Sequence, residues 1–305
     1  AARTEMLSVS AFAGVALVTA TALGSACDSE TAYYCVSIVA DDDHPPGRTL
    51  VLDDLRHSYV DLDDPTRLEF WYVRRLVDAI DVTIAPGGAI DIVHVGGGAL
   101  TVPRYVRATR PGSAQAVYEI DGDLVEIVED QLGFEPGDDV EIVVGDGRLA
   151  IQDRADRSAD VVLGDAFGGR AVPFHLTTVE FLEEVDRVLR DDGVYALNLL
   201  DGSEELFGKA EAATLAEVFA HVVVIRGPFA IQGRGGNSVI VASRRPIDAD
   251  ALSARLAADV DPTDGRPDEV RGEVVGGPAL EAYLDGAQIL TDDFAPVDHL
   301  VAGVG

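Results

Sequence analysis

The strongest constraint on the fold of this chain is a repeated pattern, a mainly apolar stretch of five or six residues followed within three residues by glycine. Four such stretches follow one another, at residues 89–93, 116–121, 139–144 and 159–163. Short apolar runs separated by helical segments are typical of buried strands in a parallel sheet. Ligands of such sheets bind at the carboxyl ends of the strands. The pattern therefore predicts an α/β protein with a doubly wound sheet and a nucleotide-type ligand site along one edge.

The first stretch leads into a glycine turn formed by Gly96, Gly97 and Gly98. Glycine lets the backbone turn tightly against a ligand at the start of a helix. Glu119 follows Gly96 by 23 residues, close to the offset of about 20 at which an acidic side chain can accept hydrogen bonds from ribose hydroxyls. A glycine triplet alone also fits an ordinary tight turn, but its register with Glu119 favours a cofactor site.

Two more acidic residues follow the third and fourth stretches. Asp146 stands between Gly145 and Gly147, where a carboxylate could hold an adenine amino group. Asp165 follows Gly164 at the strand end where chemistry is expected. Each aspartate alone fits a solvated loop or a helix cap equally well. Their repetition after successive strands favours a ligand site.

These residues also carry a resemblance to a known family. The matching motifs are Leu52-Asp53-Asp54 with Ser58-Tyr59, Gly96-Gly97-Gly98, Glu119-Ile120-Asp121, Gly145-Asp146-Gly147, Asp160-Val161-Val162-Leu163-Gly164-Asp165 and Leu290-Thr291-Asp292-Asp293. Through them, residues from about 50 to 244 resemble the spermidine synthase family of aminopropyltransferases, especially the spermidine-synthase-like domains fused behind membrane segments.

The resemblance implies a class I methyltransferase-like, Rossmann-type fold with an antiparallel edge hairpin. It implies a cofactor that is either decarboxylated S-adenosylmethionine or S-adenosylmethionine, with methylthioadenosine or S-adenosylhomocysteine as product, and no metal. Glu119 is expected to hold the ribose, Asp146 the adenine, and Asp165 to deprotonate an attacking amine. The three glycines of the turn, Asp121 and Gly147 are expected to complete the cofactor site. A small amine partner and a homodimer are also expected.

The chain departs from the family where amines are recognised. Ala99 follows the glycine turn, in place of the aspartate that recognises the aminopropyl amine of the donor. Ala166 and Phe167 follow Asp165, so the second aspartate of the catalytic loop is missing, and residues 68–72 contain no clean counterpart of the Tyr-His-Glu cluster. A buried ammonium without a partner costs several kcal/mol. These losses argue against putrescine as the acceptor.

Three aromatic residues are candidates for the substrate site: Tyr59, Trp71 and Phe167. Tyr59 and Trp71 could flank a cation, although aromatic residues in such patterns more often belong to the core. Three functions remain open. They are aminopropyl transfer with Asp165 as base, methyl transfer to another small nucleophile, which Ala99 favours, and nucleoside sensing without catalysis.

Composition limits the partners. The 305-residue chain has a formal net charge of −31 and a pI of about 4.3, which argues against nucleic acid because phosphate binding needs clustered Lys and Arg. The acidic residues either form an ordinary solvated surface or produce an electrostatic field that attracts cationic substrates. The six histidines and two cysteines show no metal-ligand spacing.

The amino-terminal residues bear on where the protein is located in the cell. Residues 7–26 form an uncharged run of 20 residues, about the length that a bilayer requires. A membrane span with a cytoplasmic catalytic domain is the first expectation, and a signal peptide of an exported protein or a soluble helix are the alternatives. Cys27 and Cys35 could form a disulfide, which implies an oxidising compartment, whereas an adenosyl cofactor is normally cytosolic. The sequence leaves their pairing open.

The expected organisation has four parts. Residues 1–26 are the hydrophobic segment, 27–84 a small β-hairpin region with a linking helix, 85–245 the cofactor-binding catalytic domain, and 246–305 an acidic C-terminal extension. Within the catalytic domain, a helix is expected to end at Asp192-Gly193, followed by a strand at 194–200. Strands at 222–226 and 238–243 are expected to form the antiparallel edge hairpin.

Overall fold

The computed structural model describes residues 27–259 and 271–301, which form two β-sheets. The smaller sheet is antiparallel, and its strands pair in chain order: β1 (Ser29–Glu30), β2 (Cys35–Ala40), β3 (Gly47–Leu52) and β4 (Leu55–Asp61). The prediction of a small β region ahead of the main sheet is confirmed. It is a four-stranded sheet, larger than the expected hairpin.

The larger sheet contains eight of the described strands. They are β5 (Asp91–Val95), β6 (Ala114–Glu119), β7 (Val140–Val144), β8 (Ala159–Gly164), β9 (Leu189–Asp201), β10 (His221–Arg226), β11 (Gly236–Ser243) and β12 (Glu273–Val275). Their spatial order is β12-β10-β11-β9-β8-β5-β6-β7. Strands β5 to β9 are parallel, and β10, β11 and β12 add an antiparallel edge. The predicted methyltransferase-like α/β fold with an antiparallel edge hairpin is confirmed.

Helices cover both faces of this sheet. They are α1 (Trp71–Thr83), α2 (Thr101–Thr109), α3 (Gly122–Leu132), α4 (Gly147–Asp153), α5 (Val179–Val188), α6 (Leu206–Val218), α7 (Ala249–Ala258), α8 (Pro278–Tyr283) and α9 (Val297–Leu300). Helices α1, α2 and α7 pack on one face, and α4, α5 and α6 on the other. Ile92 packs in the first layer and Val93 in the second. Strands buried on both faces are mainly apolar, which explains the largely apolar runs of the sequence.

One local expectation was wrong. Helix α5 ends at Val188 rather than at Asp192-Gly193, because Leu189 adopts an extended backbone and pairs with Ala159 of β8. The C-terminal extension contains α7, α8 and α9, and it also contributes β12, which pairs with β10. The domain boundary at residue 246 stays a prediction.

The smaller sheet is joined to the main domain by a core of its own. Val36, Leu50 and Leu52 pack with Leu100 and with Leu124 of α3. A disulfide joins Cys27 to Cys35, with 5.6 Å between their Cα atoms, and so ties the start of the described chain to β2. The smaller sheet is thereby held against the loop that follows β5.

Residues 7–26 lie outside the described residues, so the expected membrane segment is untested. Within residues 27–259 and 271–301, every helix is too short or too polar to span a bilayer.

Candidate active site

The glycine turn after β5 brings the carboxyl ends of β5 and β8 into contact. Gly96 has a φ of +99°, and a Cβ atom on it would lie 2.4 Å from the carbonyl oxygen of Asp165. Any side chain here would collide with the backbone that carries Asp165. The amide of Asp165 donates to the carbonyl oxygen of Val95 at 2.8 Å. The sheet order reverses at β5, so this contact lies at the topological switch point where such folds bind ligands.

Glu119, the last residue of β6, lies against the glycine turn. Its Oε2 accepts from the amide of Gly97 at 2.8 Å and from that of Gly98 at 3.4 Å. Its Oε1 accepts from the amide of Asp121 at 3.0 Å. An ionised carboxylate has about four acceptor positions, so these bonds leave capacity for a ligand hydroxyl. Glu119 is therefore held rigidly by backbone donors while it lines the cavity described below.

Asp146 follows β7 and has three structural partners. Its Oδ1 caps α4 by accepting from the amides of Arg148 at 2.8 Å and Leu149 at 3.1 Å. Its Oδ2 lies 3.1 Å from Nε2 of His175. Gly147 is required beside it, because a Cβ atom there would lie 2.7 Å from Cγ1 of Val95. Asp146 thus combines the helix-cap role with a position on the cavity wall.

Asp165 lies at the end of β8 and is hydrogen-bonded to the neighbouring strand. Nδ2 of Asn198 in β9 donates to its Oδ1 at 2.8 Å, and Nδ2 of Asn237 in β11 donates to Oδ1 of Asn198 at 3.0 Å. The surrounding protein desolvates the carboxylate and raises the pKa of Asp165 to about 7, while the bond from Asn198 acts in the opposite direction. Desolvation, with the charge of Asp165 as a smaller cause, raises the pKa of Tyr72 well above its ordinary value. Asp165 is therefore a carboxyl group that exchanges its proton near neutral pH.

The predicted residues converge on a cavity of about 80 Å³, called here the glycine-loop cavity. Its wall contains these predicted residues: Gly96, Gly98, Glu119, Asp146, Gly147, Asp165 and Phe167. Gly97 faces a smaller cavity behind the turn, which Asp165 also lines. The structure thus brings together the ends of four strands, β5 to β8.

A second cavity, of about 830 Å³, adjoins the first and is called here the aromatic cavity. Its aromatic lining consists of Phe70, Trp71, Tyr72, Phe167 and Phe229. Phe167 and His57 line both cavities, and their rings meet edge to face with centroids 6.2 Å apart. Burial lowers the pKa of His57 to about 4, so the imidazole is neutral at physiological pH. This ring pair separates the two cavities next to Asp165.

Three more of the predicted residues do not line the glycine-loop cavity. Trp71 lines the aromatic cavity, and its indole NH donates to the carbonyl oxygen of Arg271 at 3.1 Å. Tyr59 lines neither the glycine-loop cavity nor the aromatic cavity, and its hydroxyl donates to Asp41 at 3.0 Å beside the smaller sheet. Asp121 is also outside their walls. It caps α3 through the amide of Leu124 and accepts from the hydroxyl of Thr31 at 2.6 Å.

Sequence reasoning gave little weight to several residues of the site. Asn198 is a lone polar residue at the carboxyl end of an apolar strand, which is a usable signal. Tyr34 and His57 have no such signal in the sequence, because they reach the site only through the packing of the smaller sheet against the main domain. The Tyr34 hydroxyl donates to the carbonyl oxygen of Phe167 at 2.7 Å and fixes the loop after β8. His175 reaches the wall through its contact with Asp146.

Within residues 27–259 and 271–301, the structure places no three His, Cys, Asp or Glu side chains together as a metal-binding group.

Comparison with known proteins places this site in a family. The chain matches no family model. A polyamine aminopropyltransferase from Vibrio vulnificus (strain CMCP6) is 30% identical over 255 residues, which cover 80% of this chain and 79% of that protein. The chain belongs to the polyamine aminopropyltransferase family. The expected resemblance and the expected transferase class are confirmed, and the chain is a spermidine synthase-type aminopropyltransferase.

Solved structures agree with this assignment. A probable spermidine synthase from Corynebacterium glutamicum ATCC 13032 is 28% identical with a TM-score of 0.78, and the match covers 88% of this chain and 97% of that chain. Spermidine synthase from Thermotoga maritima is 19% identical with a TM-score of 0.55, covering 72% of each chain, and shows that the fold is shared. The narrower expectation that this aminopropyltransferase is of the membrane-fused kind stays a prediction.

Proposed function

We propose that this aminopropyltransferase moves the aminopropyl group of decarboxylated S-adenosylmethionine to the nitrogen of a small amine, with Asp165 as the general base. The position of Asp165 carries the proposal. It lines the glycine-loop cavity and is bonded to Asn198, which lines the aromatic cavity. A carboxyl group with a pKa of about 7 is partly ionised at neutral pH, so it can both take up and release a proton.

The residues around the glycine-loop cavity fit an adenosyl group. Gly96 and Gly98 keep side chains out of the space that a nucleoside has to occupy. Glu119 has acceptor capacity for ribose hydroxyls, and Asp146 has a carboxylate for the adenine amino group. The backbone and helix-cap bonds of both carboxylates hold them in place before a ligand arrives, which reduces the cost of ordering them on binding.

The size of this cavity implies movement on binding. Typical small-molecule pockets have volumes of about 300–1,000 Å³, and the glycine-loop cavity has about 80 Å³. Residues 165–176 supply six residues of this wall, and the segment includes Gly169, with a φ of +71° and nothing within 4 Å of the position of a Cβ atom. We expect this wall to move outward when the donor binds.

Catalysis in such a site consists mainly of alignment and proton removal. A sulfonium donor supplies a carbon that is already activated towards a nucleophile. The protein has to hold the acceptor nitrogen against that carbon and accept its proton. Asp165 is placed for the second task, and the bond from Asn198 leaves one of its carboxylate oxygens for the acceptor.

The aminopropyl ammonium of the donor needs a partner other than the aspartate expected after the glycine turn. Ala99 occupies that position and is fully buried. Among the described residues, Glu69 is the one carboxylate on the wall of the aromatic cavity. We propose that Glu69 pairs with the aminopropyl ammonium.

Turnover and binding measured separately test the proposal. Asp165→Asn should lower kcat by about 10²–10⁴-fold and leave the affinity for methylthioadenosine unchanged in calorimetry. Glu119→Gln should weaken methylthioadenosine binding. Asp153→Asn, on the exposed side of α4, is the matched control and should change neither.

Two results would contradict the proposal. Unchanged turnover in Asp165→Asn would show that Asp165 is not the general base. If intact S-adenosylmethionine bound more tightly than the decarboxylated form and were turned over, methyl transfer would be favoured. This is the alternative that Ala99 supports.

A further inference from the structure

The charged residues on the wall of the aromatic cavity are Arg56, Glu69 and Arg74. Oε2 of Glu69 lies 3.2 Å from Nη2 of Arg67, and Nε of Arg74 lies 3.1 Å from Oδ1 of Asp259. Arg56 forms no ion pair with any carboxylate of the described residues. Glu69 pairs with Arg67 and, on the proposal above, with the donor's ammonium when the donor binds, so the one uncompensated charge on this wall, within the described chain, is positive.

Arg56 is an exposed residue on the wall of the cavity. It lies in β4 beside His57, and its guanidinium carbon is 5.3 Å from the ring centroid of Phe70. Stacking on an aromatic ring orients the guanidinium and leaves its hydrogen-bond donors at the ring's edge. The neutral imidazole of His57 adds no second charge.

The part of the lining next to Asp165 has a different character. Asn198 and Asn237 line it with neutral amides, and Asp165 accepts a hydrogen bond from Asn198. An acceptor whose nucleophilic nitrogen meets Asp165 therefore extends along an aromatic wall towards Arg56. A diamine would place its second ammonium near a guanidinium of the same charge, whereas a carboxylate could accept two hydrogen bonds from it.

The net charge of the chain restricts the choice among acceptors that carry a carboxylate. A formal charge of −31 repels small anions and attracts cations over long distances, so the long-range field by itself favours a diamine and the local charge of Arg56 has to outweigh it. An amino acid with one ammonium and one carboxylate has no net charge, so it approaches without repulsion and can still pair with Arg56.

We propose that the acceptor is an ω-amino acid rather than a diamine, and that Arg56 is the residue that selects it by pairing with its carboxylate. The proposal rests on the aminopropyl transfer proposed above. The acceptor nitrogen forms a bond to the terminal carbon of the donor's aminopropyl chain, and the bond from that carbon to sulfur breaks. The electron pair stays on sulfur in the released methylthioadenosine, and Asp165 takes the proton from the new secondary amine.

The test compares 4-aminobutyrate with putrescine, two four-carbon amines that differ in the group at the far end. Calorimetry on the protein saturated with methylthioadenosine measures their binding, and release of methylthioadenosine from decarboxylated S-adenosylmethionine measures turnover. We expect 4-aminobutyrate to bind at least tenfold more tightly than putrescine. Arg56→Gln should raise the KM for 4-aminobutyrate about tenfold with little change in kcat, and Arg56→Lys should restore part of the affinity.

The matched control is Arg157→Gln, at an exposed arginine that lines none of the cavities described above. It should leave both affinities unchanged. Preference for putrescine in the unmodified protein would overturn the proposal, and so would an Arg56→Gln variant that keeps the preference for 4-aminobutyrate. Weaker binding of S-adenosylmethionine, but not of 4-aminobutyrate, in Arg56→Gln would also overturn it, because the carboxylate would then belong to the donor.

Failure of the two proposals can be told apart. If neither amine supports release of methylthioadenosine, aminopropyl transfer is wrong. The calorimetric preference between the two amines still decides whether the cavity selects an amino acid.

Discussion

At the scale of single residues, the function of this aminopropyltransferase depends on how the protein sets the ionisation of Asp165. Desolvation raises its pKa to about 7, and the amide of Asn198 lowers it. A general base has to be ionised to act, so turnover should rise with pH through this pKa.

Asn198→Ala should therefore shift the pH dependence of kcat/KM. Loss of the amide donor destabilises the carboxylate, and the acidic limb should move to higher pH by about 0.5 to 1 pH unit. Asn237→Ala, which removes a donor to Asn198 and leaves Asp165 bonded, should shift the limb less. Ionisation of the acceptor amine affects all three proteins alike. Superimposable profiles would show that Asn198 has no influence on the base.

Glu211 is a second buried carboxyl group, and it lies away from the site. It is in α6 with no exposed surface, and both its oxygens lack a hydrogen-bond partner among the described residues. Burial raises its pKa well above the ordinary value of 4.5, so the folded protein holds it as a neutral acid. Since the unfolded chain ionises near the ordinary value, the contribution of Glu211 to stability is present in acid and is lost as pH rises above that value.

Glu211→Gln should stabilise the protein at pH 8 by about 1–3 kcal/mol and should have little effect near pH 4. Urea unfolding at both pH values measures the difference. Glu217→Gln, an exposed change in the same helix, is the control. A destabilised Glu211→Gln at pH 8 would mean that the carboxylate has a compensating partner.

At the scale of elements, the site depends on how closely β5 approaches β8. Gly96 and Gly87 both have positive φ, +99° and +79°, but a Cβ atom on Gly87 would have nothing within 4 Å. The two glycines therefore separate the cost of the backbone conformation from the cost of the collision with Asp165.

Gly87→Ala should cost about 1–2 kcal/mol of stability, the usual penalty for a side chain in the left-handed region, and should keep activity. Gly96→Ala should destabilise the protein further and lower kcat/KM by at least tenfold, because the backbone of Asp165 has to move. Unfolding by urea and steady-state kinetics measure the two effects. Equal activity in the two variants would show that the approach of the strands is unimportant for catalysis.

The helix starts show why acidic residues at strand ends were ambiguous in the sequence. Asp121 and Asp146 both cap the helices that follow them. Only Asp146 also reaches the cavity wall, whereas Asp121 binds Thr31 of the smaller sheet. Capping and ligand binding demand the same residue type at the same sequence position, so only the fold distinguishes them.

At the scale of the whole molecule, the acidic surface dominates the electrostatics. A formal charge of −31 on 305 residues produces repulsion within the folded state. Salt reduces this repulsion, because the screening length falls from about 10 Å at 0.1 M to about 3 Å at 1 M ionic strength.

We therefore expect the Tm to rise by several degrees between low salt and 1 M NaCl. Most of the rise should occur below about 0.3 M, where screening changes fastest, whereas a general salting effect would grow steadily with concentration. Thermal unfolding followed by circular dichroism across this range gives the shape of the curve. A Tm that falls with added salt would show that attractive ion pairs, such as that of Arg110 with Asp81, outweigh the repulsion.

The sequence alone determined the fold class, the succession of the parallel strands along the chain and the convergence of Glu119, Asp146 and Asp165 on one edge. These follow from local rules, because strand periodicity, glycine turns and the position of strand ends are written in short stretches of chain. The tertiary structure decided the rest. Tyr34, His57 and Arg56 come from the smaller sheet, and Asn198 meets Asp165 from 33 residues away. Contacts between such distant segments, and the burial that raises the pKa of Asp165, depend on packing that no local pattern encodes.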